Sequence, residues 1–179
     1  MEIKFESFGM TQEKLDQLGR LGLKYDKRQK KQMLAAANVK LPTAENIGEF
    51  EKKIGFTLPS DYKEFLLRQN GGIPDRSLIK IPSLGKKVVQ SLFALVNPVV
   101  AYTVDHNLDL YKNRMPQDML PVANDPAGNL YIMKVGAGGD FGNIYFWNHE
   151  LEADGEKQPY LENITYIANS FNDFLLGLK

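Results

Sequence analysis

The fold of this chain is decided by residues 41–72, which read LPTAENIGEFEKKIGFTLPSDYKEFLLRQNGG. Thr43 is a typical helix N-cap, and the apolar residues after it recur at intervals of three and four until Gly55, a natural helix terminator. Pro59 and Asp61 mark a second helix start, because proline suits the first turn and the helix dipole favours an acid there. The segment therefore predicts two short, closely linked helices whose apolar faces need a sheet to cover them.

The segments around this helical pair alternate between strand and helix patterns. Short apolar runs bounded by turn residues predict strands over 77–82, 91–96, 119–123, 130–135, 143–148 and 160–166. Helical spacing of apolar residues occurs over 11–20, 99–114 and 170–178. The predicted class is α+β, with a mainly antiparallel, twisted sheet packed against helices.

The composition suits one globular domain without a global charge. The chain has 179 residues, of which 43% are hydrophobic and 25% charged. Lysine plus arginine and aspartate plus glutamate both number 22, so no overall field draws the protein to nucleic acid or acidic lipid. Cysteine is absent, which excludes thiolate catalysis and cysteine metal sites, and no apolar run is long enough to span a membrane. We expect a cytoplasmic protein.

The amino-terminal segment is basic. Residues 24–40 contain six lysine and arginine residues against one aspartate. Nucleic-acid surfaces usually interleave aromatic residues with such cations, and here only Tyr25 is present, so a solvated helix face is the better interpretation. Residues 1–40 are predicted to be a helical basic extension of a domain over 41–179, in a single globular unit that binds neither nucleic acid nor membrane.

The glycine-rich stretch at 135–150, VGAGGDFGNIYFWNHE, raises the possibility of a phosphate-binding loop. A dinucleotide fingerprint requires a third glycine where Phe141 stands, and a helix where a strand is predicted. The loop is therefore predicted to be a hairpin connection whose glycines supply positive φ. No cofactor is expected.

An acidic stretch partly matches a calcium-binding loop. Glu150, Glu152, Asp154 and Gly155 have the spacing of an EF-hand loop, but Leu161 replaces its closing carboxylate. A solvated acidic hairpin turn is the better interpretation, and no metal site is predicted.

The chain offers little for catalysis. Its two histidines, His106 and His149, lie far apart in sequence, and no serine has the surroundings of an activated nucleophile. His149 could serve as a general base, but a hydrogen-bonded or solvated ring at a strand end is favoured. No catalytic residue is predicted, and we expect a protein that is not an enzyme.

Motifs in both halves of the chain follow a recognisable order. They are Gly55, Leu58-Pro59, Asp61-Tyr62, Phe65-Leu66, Asn70-Gly71-Gly72, Leu120-Pro121-Val122-Ala123, Asp125, Gly128-Asn129, Gly142, Ile144-Tyr145-Phe146-Trp147, His149-Glu150, Ser170-Phe171 and Phe174-Leu175. Over about residues 41 to 178 this order resembles the SUKH superfamily, in the branch of the yeast cell-wall-assembly regulator (Smi/Knr-like). The resemblance implies an α+β domain that binds proteins. Many bacterial members look like immunity proteins that hold a toxin, often a nuclease, in a complex.

The resulting hypothesis is an immunity protein that occludes a cognate toxin. Because toxin nucleases tend to be basic and opposite charge speeds encounter, we expect partner contacts at four acids, Asp140, Glu150, Glu152 and Asp154. Trp147 is a further candidate, since tryptophan is favoured at interface hot spots. The alternative is a regulatory or scaffold module without a toxin partner, with the basic segment as a docking arm. An enzyme ranks third.

Overall fold

The computed structural model describes residues 3–152 and 161–179. Its helices are α1 (Gln12–Arg20), α2 (Lys27–Ala37), α3 (Ala44–Ile54), α4 (Ser60–Arg68), α5 (Val104–Tyr111) and α6 (Phe171–Leu176). Its strands are β1 (Phe5–Glu6), β2 (Ile73–Pro74), β3 (Leu78–Ile81), β4 (Gly85–Val88), β5 (Ser91–Leu92), β6 (Met119–Asn124), β7 (Leu130–Lys134), β8 (Ile144–Trp147) and β9 (Ile164–Ala168). Short 3-10 turns lie at Val100–Tyr102 and His149–Leu151. The predicted α+β class is confirmed.

A five-stranded antiparallel sheet in the order β5-β6-β7-β8-β9 forms the centre of the fold. Consecutive strands are neighbours, and the connections of β7 to β6 and to β8 are short. Two smaller antiparallel pairs, β1–β2 and β3–β4, lie outside this sheet. β9 pairs with β8 alone and is therefore an edge strand of the main sheet.

The helical pair α3–α4 forms as its capping residues predict. The Thr43 side chain accepts from the Asn46 backbone N–H, and the Asn46 side chain accepts from the Thr43 N–H, which completes a capping box. Gly55 ends α3 in the left-handed conformation at φ 75°. Pro59 precedes α4, and positive φ at residues 70–72 turns the chain away from that helix.

One face of the main sheet, the inner face, packs against α4 and α6 through aromatic rings. The ring centroids of Tyr62 and Phe65 lie 4.8 and 4.9 Å from that of Phe171. Phe174 lies 5.3 Å from Tyr131 of β7, again between centroids. All five rings are buried. Rings of this size dominate the energetics of a core, so the inner face is the main stabilising contact of the domain.

The opposite face, the outer face, is covered unevenly. Because side chains alternate along a strand, Ile132, Tyr145 and Trp147 point away from the inner face. The Tyr111 ring of α5 lies edge-on to Trp147 at 5.5 Å, so α5 covers this part of the sheet. Exposure rises toward β9, where Tyr166 is 44% exposed.

Residues 3–40 pack onto the rest of the chain at several points. β1 pairs with β2, and the Phe8 ring stacks on Tyr102 at 4.4 Å. Gly9 allows close approach to α2, because a Cβ atom there would lie 2.0 Å from the Ala37 backbone nitrogen. Leu15 and Ala36 are buried. The basic helix α2 is therefore anchored through its second half.

Several elements differ from the sequence predictions. The strand predicted over 91–96 stops after Leu92, because the Ala94 N–H bonds to the Tyr102 carbonyl instead of β6 and the Asn70 side chain takes the backbone N–H groups of residues 95 and 96. The helical pattern over 99–114 is interrupted at Thr103, which instead caps α5. β4 was not predicted, because its sequence GKKV lacks an apolar alternation. These differences arise from contacts between distant segments.

Candidate protein-binding surface

The glycine-rich loop joins β7 to β8 as an antiparallel hairpin, as the sequence predicted. Positive φ occurs at Gly138 and Gly142, with values of 156° and 86°. Gly136 is needed for space instead, because a Cβ atom there would lie 2.6 Å from the Asp118 carboxylate. A strand follows the loop, so the arrangement lacks the helix N-terminus of a dinucleotide site.

Lys134, the last residue of β7, lies on the outer face between two carboxylates. Its ammonium group pairs with Asp118 and lies 4.0 Å from an Asp140 oxygen. The hydrogen bond to Asp118 raises the pKa of Lys134 above its ordinary value, although burial acts in the opposite direction. The Tyr145 hydroxyl lies 3.5 Å from Asp140. We call Asp118, Lys134, Asp140 and Tyr145 the lysine cluster.

A second ion pair covers the other end of the outer face. Arg114 donates to both Glu152 oxygens, from Nε at 2.8 Å and from a terminal nitrogen at 2.5 Å. Its guanidinium carbon lies 4.8 Å from the Tyr111 ring centroid and 6.0 Å from that of Trp147. The hydrogen bonds to Glu152 raise the pKa of Arg114, against the effect of burial, so its charge is permanent. We call Tyr111, Arg114, Trp147 and Glu152 the arginine cluster.

Tyr166 of β9 lies beside Tyr145 on the same face. Their ring centroids are 5.9 Å apart in an edge-on arrangement, and the Tyr166 hydroxyl donates to Asn169 at 2.7 Å. A β-bulge at Ile167 makes this possible, because the pairing shifts by one residue between Ala168 and Tyr166. Without the bulge Tyr166 would face the core. The lysine cluster, the arginine cluster and Tyr166 together are named the outer-face surface.

The acids predicted to contact a partner do not form one patch. Asp140 belongs to the lysine cluster, whereas Glu152 belongs to the arginine cluster and Glu150 is exposed in the turn after β8. Asp140 precedes β8 in the chain, whereas Glu150 and Glu152 follow it, so the acids lie toward opposite ends of that strand. Asp154 lies outside the described residues.

Trp147 is a buried residue. Its exposure is 0%, and Tyr111 and Arg114 lie over its ring. The prediction of a direct partner contact at Trp147 is wrong for this reason: α5 covers this part of the outer face, whereas the sequence pattern left one sheet face open. Tyr145 and Tyr166 are accessible aromatic residues of the outer face, and neither is among the five residues predicted to contact a partner.

His149 takes part in a structural hydrogen-bond chain. The Asn129 side-chain oxygen lies 3.2 Å from His149 Nδ1 and accepts the His149 backbone N–H at 3.1 Å. Asn129 in turn donates to the buried Asp125 carboxylate at 2.8 Å. Because the amide oxygen can only accept, Nδ1 carries the proton. The chain ties the β6–β7 turn to the segment after β8, as expected for a hydrogen-bonded ring at a strand end.

The described part of the chain contains neither a candidate metal site nor a membrane-spanning helix. Within residues 3–152 and 161–179, no group of three or more histidine and acidic side chains could hold a metal ion. Asp154 and Gly155 of the acidic stretch lie outside that part. Among the helices described, none is long and apolar enough to cross a membrane.

The antiparallel sheet, the helices on its inner face and the order of motifs define a SUKH-type α+β domain. The chain belongs to the SMI1 / KNR4 family (SUKH-1), whose family model matches residues 41–177. It is also similar to the SPbeta prophage-derived uncharacterized protein YokK of Bacillus subtilis (strain 168). The two are 32% identical over 159 residues, which cover 76% of this chain and 74% of that protein.

Proposed function

We propose that this protein is a cytoplasmic immunity protein that neutralises a cognate toxin, such as a nuclease, by forming an occluding complex without catalysis. Membership of the SUKH family supports a protein-binding role. Similarity to a prophage-derived protein fits the same role, since mobile elements commonly carry conflict genes. The observation that carries the proposal is the pair of accessible tyrosines on the outer-face surface.

Tyr145 and Tyr166 supply the binding energy in this account. Tyrosine is enriched among interface hot spots, because a large ring can be buried while the hydroxyl keeps a hydrogen bond. Contact with Tyr145 and the hydrogen bond to Asn169 hold the Tyr166 ring before binding. A preformed ring costs little entropy to bury, so the partner meets a surface that is already organised.

Charge adds selectivity to this surface. Asp118, Asp140 and Glu152, together with Glu150, provide four carboxylates against the two cations Lys134 and Arg114. The excess is two negative charges, which favours encounter with a basic partner. The ion pairs of Lys134 and Arg114 fix the positions of their partner carboxylates on this surface. The exposed Glu150 forms no ion pair within the described residues. Shape and aromatic contact therefore contribute more than net acidity.

The proposal predicts that a large secreted protein with a toxin domain is encoded beside this gene, and that toxin domain is the partner to test. Co-production should give a stable complex and protect cells from the toxin. Tyr145→Ala/Tyr166→Ala should abolish protection, whereas Tyr25→Ala, in the amino-terminal segment, should retain it. Full protection by the double variant would refute the surface assignment.

A regulatory or scaffold module is the second candidate. The exposed basic half of α2 favours it, because that surface could dock an endogenous acidic partner. Affinity capture from the native host separates the two: a toxin encoded next to the gene indicates immunity, and a chromosomally unlinked host protein indicates a scaffold. Phosphoester hydrolysis that is lost in His149→Ala would contradict both.

A further inference from the structure

The end of α1, the connection to α2 and the first half of α2 carry exposed cations that form no ion pair within the described residues. They are Arg20, Lys24, Lys27, Arg28, Lys30 and Lys31, and all six are exposed. None of them belongs to an ion pair formed within residues 3–152 and 161–179. With Leu21 and Leu23 they form what we name the basic tip.

The first half of α2 gains little stability from packing against the rest of the protein. Every residue from 26 to 32 is exposed, and the contacts with the rest of the protein begin at Met33, whose carbonyl accepts the Met10 N–H at 3.1 Å. Its first turn contains no acid, although the helix dipole favours acids there and disfavours cations. The Asp26–Gln29 capping box offsets part of this cost. The cations at the start of α2 oppose the helix dipole and add no packing contact that would stabilise the fold. Residues that break a local rule without stabilising the fold are typical of functional segments.

Two leucines accompany these cations. Leu21 is 73% exposed and Leu23 is 52% exposed. Gly22 adopts φ 89°, and the Leu23 N–H donates to the Leu18 carbonyl at 3.0 Å, so the chain reverses at a defined helix end. This geometry holds both leucines in solvent beside the positive charges. A single exposed leucine is ordinary, whereas two flanked by unpaired cations indicate an amphipathic contact.

The combination of cations and leucines in the basic tip distinguishes two possible polyanionic partners, a nucleic acid and an anionic membrane. Phosphates of a nucleic acid would pair with the lysines but leave Leu21 and Leu23 in water. The interface of an anionic bilayer accommodates both, because headgroups attract the cations while the leucines enter the boundary with the acyl chains.

We propose that the basic tip binds the surface of membranes that contain anionic phospholipid. The contact is peripheral and reversible, with the side chains of Leu21 and Leu23 inserted and the cations at the headgroups. This inference goes beyond the immunity function, since the tip shares no residue with the outer-face surface, and it replaces the expectation that the amino-terminal segment binds no membrane. Its consequence would be to hold the protein at the membrane that an incoming toxin crosses.

The test is flotation of the full chain with vesicles of phosphatidylcholine, alone or mixed with phosphatidylglycerol. Binding should require phosphatidylglycerol and weaken at high salt, which screens exposed charges. Lys27→Gln/Lys31→Gln should lower the partition coefficient by about thirty-fold. Leu21→Ser/Leu23→Ser should lower it by about ten-fold or more.

Matched variants control for charge and apolar area. Lys52→Gln/Lys86→Gln and Leu176→Ser change exposed residues elsewhere and should bind as the parent does. The proposal is overturned if phosphatidylglycerol does not increase the binding of the parent chain to vesicles. It is equally overturned if these control variants lose as much vesicle binding as the tip variants. It is also overturned if the serine variant binds normally and the tip instead retains duplex DNA. Toxin binding that persists in tip variants would show that the two surfaces act independently.

Discussion

The two faces of the main sheet are made by the same strands and differ in what they bury. On the inner face, Tyr131 and Phe146 are buried under α6 and the β3–β4 pair. On the outer face, Lys134 and Tyr145 occupy neighbouring positions and remain partly accessible. Strand alternation alone separates the two sets. The difference indicates that one face stabilises the domain and the other is available for recognition.

The largest effect is expected from truncation on the inner face. Phe171 begins α6 and is fully buried against α4, so Phe171→Ala should lower the free energy of unfolding by about 3–5 kcal/mol. Urea denaturation measures this loss. A loss below about 1 kcal/mol would mean that the aromatic contacts are not the main stabilising element.

The arginine cluster tests how far the outer face is structural. Arg114→Ala removes two charge-assisted hydrogen bonds and uncovers Trp147, which should cost about 2 kcal/mol of unfolding free energy. A double-mutant cycle with Glu152→Gln isolates the coupling between the two side chains. Additive losses would contradict the ion pair, whereas coupling would show that the pair helps to close this half of the face.

The glycine-rich loop provides a matched pair of variants. Gly142→Ala places a side chain at φ 86° and should cost about 1–2 kcal/mol of unfolding free energy. Gly139→Ala should be nearly neutral, because a Cβ atom there meets no atom within 4 Å and φ is not positive. Equal thermal melting of the two variants would contradict the hairpin geometry.

The inner face should also determine stability at alkaline pH. Burial raises the pKa of Tyr62 above its ordinary value of 10.0, and its hydroxyl has no hydrogen-bond partner in the described structure. Above pH 10 the unfolded chain loses this proton while the folded chain keeps it, so stability falls as pH rises. Tyr62→Phe should remove a slope of about 1.4 kcal/mol per pH unit. Urea denaturation at pH 8 and pH 11 measures the change, and an unaltered slope would contradict it.

Much of the fold could be predicted from local patterns. Thr43 and Gly55 bound α3 in the structure as their capping preferences indicate, and the glycine-rich loop forms the predicted hairpin. The outer-face surface could not be predicted in this way. Tyr166 reaches it through a bulge at Ile167, and Trp147 is buried within it because α5 folds over the sheet. Both depend on register and long-range packing, which a single sequence does not encode in its periodicity.

The smallest effect on stability and the largest on binding are expected at the same residues. Tyr145 and Tyr166 are partly exposed, so replacing both with alanine should cost no more than about 1–2 kcal/mol of unfolding free energy. Each ring should nevertheless contribute about 2 kcal/mol to partner affinity. A small loss of stability together with a large loss of affinity would distinguish the outer face from the inner face most clearly.

The most direct measurement is calorimetric titration of the neighbouring toxin domain with the parent chain and with Tyr145→Ala/Tyr166→Ala. We expect a folded double variant whose affinity is at least about a hundred-fold weaker. Parent-like affinity in that variant would show that the outer face of the sheet is not the protein-binding surface.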